Sequence, residues 1–210
     1  MSYIIVGAGG HAKVIFDILI AQQKEIEGFI DDYCTESPIE TVPVLGTTDQ
    51  MDGILDNFPE SKYIVAIGSN RLRKSLVTKL SSYSVQFGTA IHPAAVIGSG
   101  VQMGDGSVIM ANVVVNSGAV IGEHAILNTA CTVDHECILH DFVHISPGAH
   151  LAGNVKVGSE AQIGIGASVI QGIEIGAKTV VGAGACVVRD LPPNIVAVGC
   201  PARKMKTNTK

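Results

Sequence analysis

An aliphatic side chain recurs at every sixth residue through the second half of this 210-residue chain. The run begins at Ile91, ends at Val187 and contains 17 members without an exception. At this chain's apolar frequency of 47%, such a run would arise by chance on the order of once in 10⁵ trials. A short period sustained over so many units predicts a solenoid, in which every coil repeats one small structural element.

The neighbours of the repeated residue define that element. Two residues before each member stands another small or apolar side chain, such as Ala119 or Cys131, and this spacing places both side chains on one face of a strand. The residue after each member is Gly, Asn or Asp in ten of 17 cases, and these types tolerate the positive φ of a tight corner. We therefore predict a strand and a turn per unit, three units per triangular coil, and about five coils of parallel β-helix over residues 88–190.

Residues 1–87 have a different pattern, which predicts an α/β domain. The predicted elements in chain order are a strand at 3–6, a turn at 7–12, a helix at 13–22, a strand ending at 28–32, a strand at 63–68, a helix at 70–81 and a strand at 85–87. The turn has the G-x-G-x-x-A spacing of a βαβ nucleotide fingerprint, with an acidic pair about 24 residues later. Only one half of a Rossmann fold fits this length, which favours a nucleotide handle over a nicotinamide site.

Composition excludes several kinds of partner. With 14 basic and 19 acidic side chains, the net charge of −5 offers no clustered positive field for nucleic acid or anionic lipid. No apolar run approaches the ~18 residues that cross a bilayer, and no basic leader precedes the first strand, so we expect a soluble, cytoplasmic protein that binds no membrane. The five cysteines lack C-x-x-C spacing, so we expect reduced thiols and no metal site.

Five sequence segments together carry a family resemblance. They are GAGGHAK, IDD and IGSNRLR in the first half, and NTACTVDHE and HISPGAHLAGN in the second. The chain resembles, over nearly its full length, the PglD-like nucleotide-sugar N-acetyltransferases and the related NeuD-type sialic acid O-acetyltransferases of bacteria. The resemblance implies a left-handed β-helix, although the usual crossover rule favours the right hand. It also implies a homotrimer with acyl-CoA between neighbouring helices, acetyl-CoA as donor and a UDP-linked amino sugar as acceptor.

His135 is the leading candidate for the catalytic base. Acetyl transfer needs a base for the acceptor's proton and a donor for the developing oxyanion. His135 lies two residues after Val133, off the inward-facing register, and Glu136 follows as a possible partner for its ring. A surface histidine beside a solvated acid remains the alternative, but residues 134–136 resemble the catalytic stretch of the family.

Three further residues match family positions in the second half. His144 follows the base by nine residues and should point outward, and Asn128 precedes the base by seven. Gly153 lies one full coil after His135, so its N–H could donate to the thioester carbonyl. Each also has an ordinary alternative, namely a surface histidine, a corner asparagine and a turn glycine.

Coenzyme A and the nucleotide sugar have their own candidate residues. The pantetheine arm could lie on a wall of small residues, Gly164, Gly166 and Ala167. The C-terminal segment, 191–210, could contact the coenzyme A phosphates through Arg203 and Lys204, although basic tail residues are usually only solvated. For the nucleotide sugar, the amides of Gly9, Gly10 and His11 at a helix start suit a diphosphate. The family resemblance implies that Asp31 and Asp32 receive the uridine, and that the loop after the third predicted strand, with Gly68, Asn70 and Arg73, lies near the nucleotide sugar. Of these, Arg73 is expected to aim its charge at a phosphate, and an ordinary helix-surface arginine is the alternative.

The sequence favours an acetyl-CoA-dependent N-acetyltransferase of a UDP-amino sugar. Three alternatives stay open at this point: an O-acetyltransferase of sialic acid or another glycan precursor, a non-enzymatic nucleotide-binding regulator, and a purely structural β-helix.

Overall fold

The computed structural model describes residues 2–34 and 36–208 of the chain. The chain divides into two compact units, Met1–Pro93 and Ala94–Lys210. The predicted boundary lay at residue 87, and the observed one comes later because β6 (Ala90–Ile91) belongs to the first unit.

A five-stranded parallel sheet forms the first unit, in the order β3-β2-β1-β4-β5. Its elements are β1 Ser2–Val6, α1 Gly10–Ala21, β2 Glu25–Ile30, β3 Val44–Gly46, a 3-10 helix Thr48–Gln50, α2 Met51–Asn57, β4 Lys62–Val65, α3 Asn70–Ser81 and β5 Gln86–Phe87. At the carboxyl edge of this sheet, Val6 pairs with both Ile30 and Val65, so three strands end side by side. None of the described helices is both long enough and apolar enough to cross a bilayer.

Helix α1 begins earlier than predicted. It starts at Gly10, with Gly9 as its N-cap, whereas the sequence pattern predicted a start at residue 13. The glycine turn is therefore already the first turn of the helix. The sequence also missed β3 and α2, because the residues of β3 are only half-buried and α2 has just seven residues.

The second unit is a left-handed parallel β-helix of two-residue strands. Its first wall contains β7 Val96–Ile97, β10 Val114–Val115, β13 Thr132–Val133, β16 His150–Leu151, β19 Ser168–Val169 and β22 Cys186–Val187. The second contains β8 Gln102–Met103, β11 Val120–Ile121, β14 Ile138–Leu139, β17 Lys156–Val157 and β20 Glu174–Ile175. The third contains β9 Val108–Ile109, β12 Ile126–Leu127, β15 His144–Ile145, β18 Gln162–Ile163, β21 Val180–Val181, β23 Ile195–Val198 and the antiparallel β24 Arg203–Thr207.

The six-residue prediction is confirmed strand by strand. Each of the 17 repeated aliphatic residues is the second residue of one strand, from β6 to β22. Neighbouring strands of a wall are 18 residues apart, as in the pairing of Val115 with Val133. From Ile109 to Val187 every repeated side chain is buried, so the interior of the coil is one continuous aliphatic column.

The cysteines contribute to this packing. All five are free thiols, and Cys131 and Cys137 lie inside the coil. Burial raises the pKa of the Cys131 thiol to about 12, so this sulfur stays protonated and unreactive near neutral pH.

The predicted position of the positive φ is wrong. From Gly100 to Gly184, the left-handed residue is the third after each repeated aliphatic residue, as at Asn112 and Gly148, and not the first. The first position favours glycine for another reason. A Cβ on Gly104 would lie 2.6 Å from the backbone nitrogen of Glu123, so the next coil leaves no room for a side chain.

Substitutions at two glycines can distinguish close packing against the next coil from the positive φ. A Cβ on Gly158 would lie 2.5 Å from the backbone nitrogen of Ala177, whereas Gly184 has open space and a φ of +64°. We expect Gly158→Ala to destabilise the β-helix by about 3 kcal/mol, because rigid backbone must move. Gly184→Ala should cost only about 1 kcal/mol of left-handed strain. Urea unfolding of both variants tests this, and equal losses would contradict the close-packing explanation.

Candidate active site

His135 lies at the edge between the first and second walls, directly over a glycine of the next coil. An ideal Cβ on Gly153 would lie 2.5 Å from both Cε1 and Nε2 of the imidazole, so the ring covers the Cα of this glycine. The N–H of Asn154 donates to the carbonyl of His135 at 2.9 Å, which keeps the two coils in register. The prediction that residues 135 and 153 stack on adjacent coils is confirmed.

A carboxylate faces the other nitrogen of this ring. Glu136 Oε2 lies 3.5 Å from His135 Nδ1, an ion-pair distance longer than an ordinary hydrogen bond. A carboxylate on this side favours the tautomer with its proton on Nδ1, which leaves Nε2 free to accept a proton. The His135 side chain is 56% exposed, so the imidazole is open to the outside of the coil.

Asp134, which lies in the stretch that resembles the family's catalytic segment, fixes the backbone of His135 together with Asn116, which the sequence did not assign to the site. Asp134 Oδ1 accepts the N–H of His135 at 2.7 Å and the side-chain amide of Asn116 at 2.8 Å. The hydrogen bond from Asn116, followed by that from the His135 backbone, holds the pKa of Asp134 below its ordinary value. Asn116 lies one coil before Asp134, so the six-residue repeat could have predicted that these two side chains are neighbours.

Asn128 and His144 form a second pair. Asn128 Oδ1 accepts the N–H of Thr129 at 2.8 Å, so its amide nitrogen faces Nε2 of His144 at 3.1 Å. An amide NH₂ only donates, so Nε2 of His144 is the acceptor in this arrangement. The predicted outward direction of His144 fits its half-buried side chain, which points at the corner where Asn128 lies.

Within one chain, the pair formed by Asn128 and His144 does not meet His135. Asn128 follows β12 at the edge between the third and first walls, whereas His135 follows β13 at the edge between the first and second. One strand of the first wall separates them. A single β-helix therefore presents the four predicted catalytic residues on two adjacent edges.

Two of the three predicted pantetheine residues cannot line an outer surface. Ala167 is 0% exposed and faces the interior of the coil, so its assignment is wrong. Gly164 is buried against the next coil, where a Cβ would lie 2.6 Å from the backbone nitrogen of Ala183. Only Gly166 is exposed, with open space around its Cα.

The C-terminal segment is a strand of the third wall. Arg203 and Lys204 are both exposed in β24, where they pair with Val198 and Ala197 of β23. A further exposed cation was missed. Arg189 follows β22 by two residues, as His135 follows β13, so both belong to the same edge of the coil.

The predicted phosphate turn is open. Gly9 and Gly10 are exposed at the N-terminus of α1, and a Cβ on either would meet nothing within 4 Å. His11 follows in the first turn and is half-buried. This exposed helix N-terminus can therefore receive an anion.

Asp31 holds two loops of the carboxyl edge together. Its Oδ2 accepts the N–H of Ala8 at 2.7 Å, and its Oδ1 accepts those of Tyr33 and Cys34 at 2.9 Å each. Burial alone would raise the pKa of this carboxyl group, but the three N–H groups outweigh burial and hold the pKa below its ordinary value. Asp31 therefore braces the loops around the predicted uridine site through three backbone hydrogen bonds.

This pKa shift makes a stability prediction. Because the folded pKa is lowered, the carboxylate stabilises the fold above the unfolded pKa of about 3.9, and that stabilisation is lost as pH falls through the folded value. Asp31→Asn should cost about 1–3 kcal/mol at pH 7, since an amide nitrogen then faces backbone donors. Urea titrations should show the difference from the native chain shrinking below about pH 4. The exposed Asp56→Asn is the control, and a pH-independent gap would contradict the role of ionisation.

Asp32 is braced in a different way. Its Oδ1 accepts both the N–H of Thr48, at 2.7 Å, and the Thr48 hydroxyl, at 2.8 Å. Lys79 Nζ in turn donates to Thr48 Oγ1 at 2.7 Å and to Asp49 at 2.6 Å. Asp32 itself is exposed, so its oriented carboxylate still faces outward.

Arg73 does not extend toward solvent as predicted. Its side chain is 1% exposed, and its guanidinium donates to the carbonyls of Ile67 and Gly68, at 2.9 and 3.3 Å, and to Asn70 Oδ1 at 2.9 Å. Burial lowers its pKa to about 10, so it remains a cation at neutral pH. The expected phosphate contact is therefore corrected to a structural role, in which Arg73 shapes the loop that presents Gly68 and Asn70.

The described part of the chain contains no group of three His, Cys, Asp or Glu side chains arranged to hold a metal ion.

Known proteins share both the fold and the sequence of this chain. The profile of the PglD N-terminal domain family matches residues 3–80. A perosamine N-acetyltransferase from Caulobacter crescentus, solved with CoA and GDP-perosamine, is 41% identical, with a TM-score of 0.93 over 97% of this chain and 96% of its own. The acetyltransferase domain of PglB from Neisseria gonorrhoeae is 38% identical, with a TM-score of 0.92 over 97% of this chain and 99% of that domain.

A curated relative matches a shorter stretch. UDP-N-acetylbacillosamine N-acetyltransferase of Bacillus subtilis is 37% identical over 105 residues, which span 50% of this chain and 49% of the relative. The structural relatives cover nearly the full chain at 38–41% identity and join the same two units. This protein therefore belongs to the family of PglD-like sugar N-acetyltransferases.

Proposed function

We propose that this protein transfers the acetyl group of acetyl-CoA to the amine of a nucleotide-linked amino sugar, with His135 as the general base. The observation that carries the proposal is the imidazole of His135, whose Nε2 lies over Gly153 while its Nδ1 faces Glu136. An exposed, oriented and basic nitrogen at the surface of a coil is what an amine acceptor requires.

The reaction needs no covalent enzyme intermediate. The amine nitrogen attacks the thioester carbonyl, the C–N bond forms and the C–S bond breaks. Nε2 of His135 takes the proton from the amine, and the departing thiolate of coenzyme A is protonated in turn. No acceptor in the described chain takes the N–H of Gly153, so this amide is available to the developing oxyanion.

A homotrimer explains why the catalytic groups lie on two edges. A threefold ring uses a heterologous contact, in which one surface of a copy meets a different surface of its neighbour. Such a contact can bring the His135 edge of one copy against the edge of another that holds Asn128 and His144. We propose that the complete site forms in this groove.

Acetyl-CoA would then lie along the edge of the coil that carries His135. Coils follow one another at about 4.8 Å, so Arg189 is about 14 Å along the axis from His135. The pantetheine arm has a similar reach, about 15 Å by comparison with an extended chain of the same number of bonds. Arg189 could therefore contact the coenzyme A phosphates when the thioester lies at His135. Arg203 and Lys204, which lie in β24 of the third wall, could contact the same phosphates from that wall.

The first unit would hold the nucleotide. The open N-terminus of α1 at Gly9 and Gly10 suits a diphosphate, and the exposed carboxylate of Asp32 suits ribose hydroxyls. The family resemblance favours UDP, and GDP is the alternative because the Caulobacter relative was solved with GDP-perosamine.

One assay separates this proposal from its rivals. Purified protein is incubated with acetyl-CoA and, in turn, a UDP-linked 4-amino sugar, GDP-perosamine, a free amino sugar and sialic acid, while free thiol is followed. Thiol release with a nucleotide-linked amine only is the expected result. Release with sialic acid alone would indicate O-acetylation, and no release with any acceptor would overturn the proposed enzyme activity.

A further inference from the structure

Tyr33 is the most exposed large apolar side chain of the described residues. Its exposed fraction is 97%, compared with 61% for the next, Ile165. A tyrosine this exposed buries almost no surface and so contributes little to the fold. The chain has no tryptophan and only 4% aromatic residues, so a fully exposed ring is unusual for it.

The backbone beneath this ring is fixed. The N–H of Tyr33 and that of Cys34 donate to Asp31 Oδ1, and Oδ2 of the same carboxylate holds the N–H of Ala8 in the phosphate turn. One carboxylate thus ties the position of the ring to the helix start that suits a diphosphate. A ring on an anchored backbone loses little freedom when a ligand covers it.

Tyr33 borders a pocket at the carboxyl edge of the sheet. Its other lining residues include Val6 and Ile30 at the strand ends, Gly7 of the turn, and Asp32 with Thr48. Ligands of open parallel sheets bind outside the carboxyl ends of the strands. A nucleotide whose phosphates contact the N-terminus of α1 would extend over this pocket.

The polar side chains of this pocket are already engaged with the protein. Asp31 accepts three backbone N–H groups, Asp32 accepts two donors from Thr48, and the Thr48 hydroxyl also accepts from Lys79. Apart from the outward-facing carboxylate of Asp32, which suits ribose hydroxyls, few groups therefore remain to distinguish one base edge from another. Stacking requires none of them, because every base has a π-face.

We infer that Tyr33 is the stacking platform for the nucleobase of the sugar nucleotide. This inference rests on the proposed function and deepens it. Purine and pyrimidine diphosphates bind the first unit with similar affinity, and the enzyme selects its substrate at the sugar rather than at the base.

Calorimetric titration of the full chain with UDP, GDP and inorganic pyrophosphate tests the inference. Tyr33→Ala should weaken UDP and GDP binding about 5- to 150-fold and leave pyrophosphate binding unchanged. Tyr33→Phe should bind like the native chain, since it keeps the ring. Ile20→Ala, which removes another exposed apolar side chain of the same unit outside the pocket, is the matched control.

Several results would overturn the inference. Native affinity in Tyr33→Ala, or equal losses in Tyr33→Ala and Tyr33→Phe, would exclude stacking. A native preference of more than about 100-fold between UDP and GDP, or 2.7 kcal/mol, would exclude base tolerance. Each of these outcomes leaves the proposed acetyl transfer intact, whereas a native chain that bound neither nucleotide would remove the proposed nucleotide-sugar function as well.

Discussion

Replacing His135 with alanine is expected to lower kcat for acetyl transfer by about 10²- to 10⁴-fold, the usual contribution of a positioned general base. The acceptor nitrogen must lose a proton as the C–N bond forms, and Nε2 of His135 is the accessible basic nitrogen on this edge of the coil. Free thiol release from acetyl-CoA with the preferred acceptor measures the effect.

The fold should survive this substitution. The His135 side chain is 56% exposed, and its backbone is held by Asp134, so Tm should change little. His140→Ala is the matched control, since this exposed histidine lies in the same stretch of coil away from Gly153. Equal rates of thiol release by His135→Ala and the native chain would exclude the base assignment.

The coil could be predicted from the sequence because the six-residue period of aliphatic side chains is itself the pattern of buried side chains. A side chain that points inward at every sixth residue must be aliphatic, so counting from Ile91 identified each strand from β6 to β22, whereas β23 and β24 lie beyond the repeat. The same counting predicted that Gly153 would stack on His135 one coil earlier. Predictions made in units of whole coils therefore succeeded.

Glycine was harder to interpret, because two different constraints select it. At the first position after an aliphatic residue, glycine makes room for the backbone of the next coil, as at Gly104. At the third position it relieves a positive φ, as at Gly148. Composition cannot separate the two, because each position also accepts other residues, for example Asp134 at the first and Glu136 at the third.

Arg73 shows a limit of another kind. A basic residue one turn into a helix resembles a surface arginine or a phosphate ligand, and only the path of the preceding loop decides otherwise. Here the loop turns its carbonyls inward at Ile67 and Gly68, which gives a buried guanidinium its acceptors. Sequence patterns specify where such a loop occurs but not the direction of its carbonyl groups.

The sequence also did not reveal that the predicted catalytic residues lie on two different edges of the coil. Along the sequence, Asn128, His135 and His144 lie close together, and the resemblance treated them as one site. In a triangular coil, six residues move the chain along one whole wall, so a base and a histidine nine residues later belong to different edges. This geometry also yields a simple expectation, namely that activity depends on assembly and is lost on dilution to monomers.

Gly153→Ala is expected to lower the rate of acetyl transfer by about 10²-fold, the scale of loss when a reacting group is displaced by about 1 Å. Its Cβ would lie 2.5 Å from Cε1 and Nε2 of His135, so the imidazole must turn away from its position. Stability should fall far less than in Gly158→Ala, because the obstacle is an exposed side chain rather than backbone. The measurements are kcat and the urea midpoint.

A double-mutant cycle identifies the route of this effect. If the added methyl group acts by displacing the imidazole, then Gly153→Ala should have no further effect in a His135→Ala background, because no ring remains to be displaced. The alanine variant keeps the backbone N–H of residue 153, so the proposed oxyanion donor is present throughout the cycle. A second 10²-fold loss in the double variant would mean instead that the methyl group obstructs the thioester or the acceptor directly, and that the close contact between His135 and Gly153 is not what positions the base.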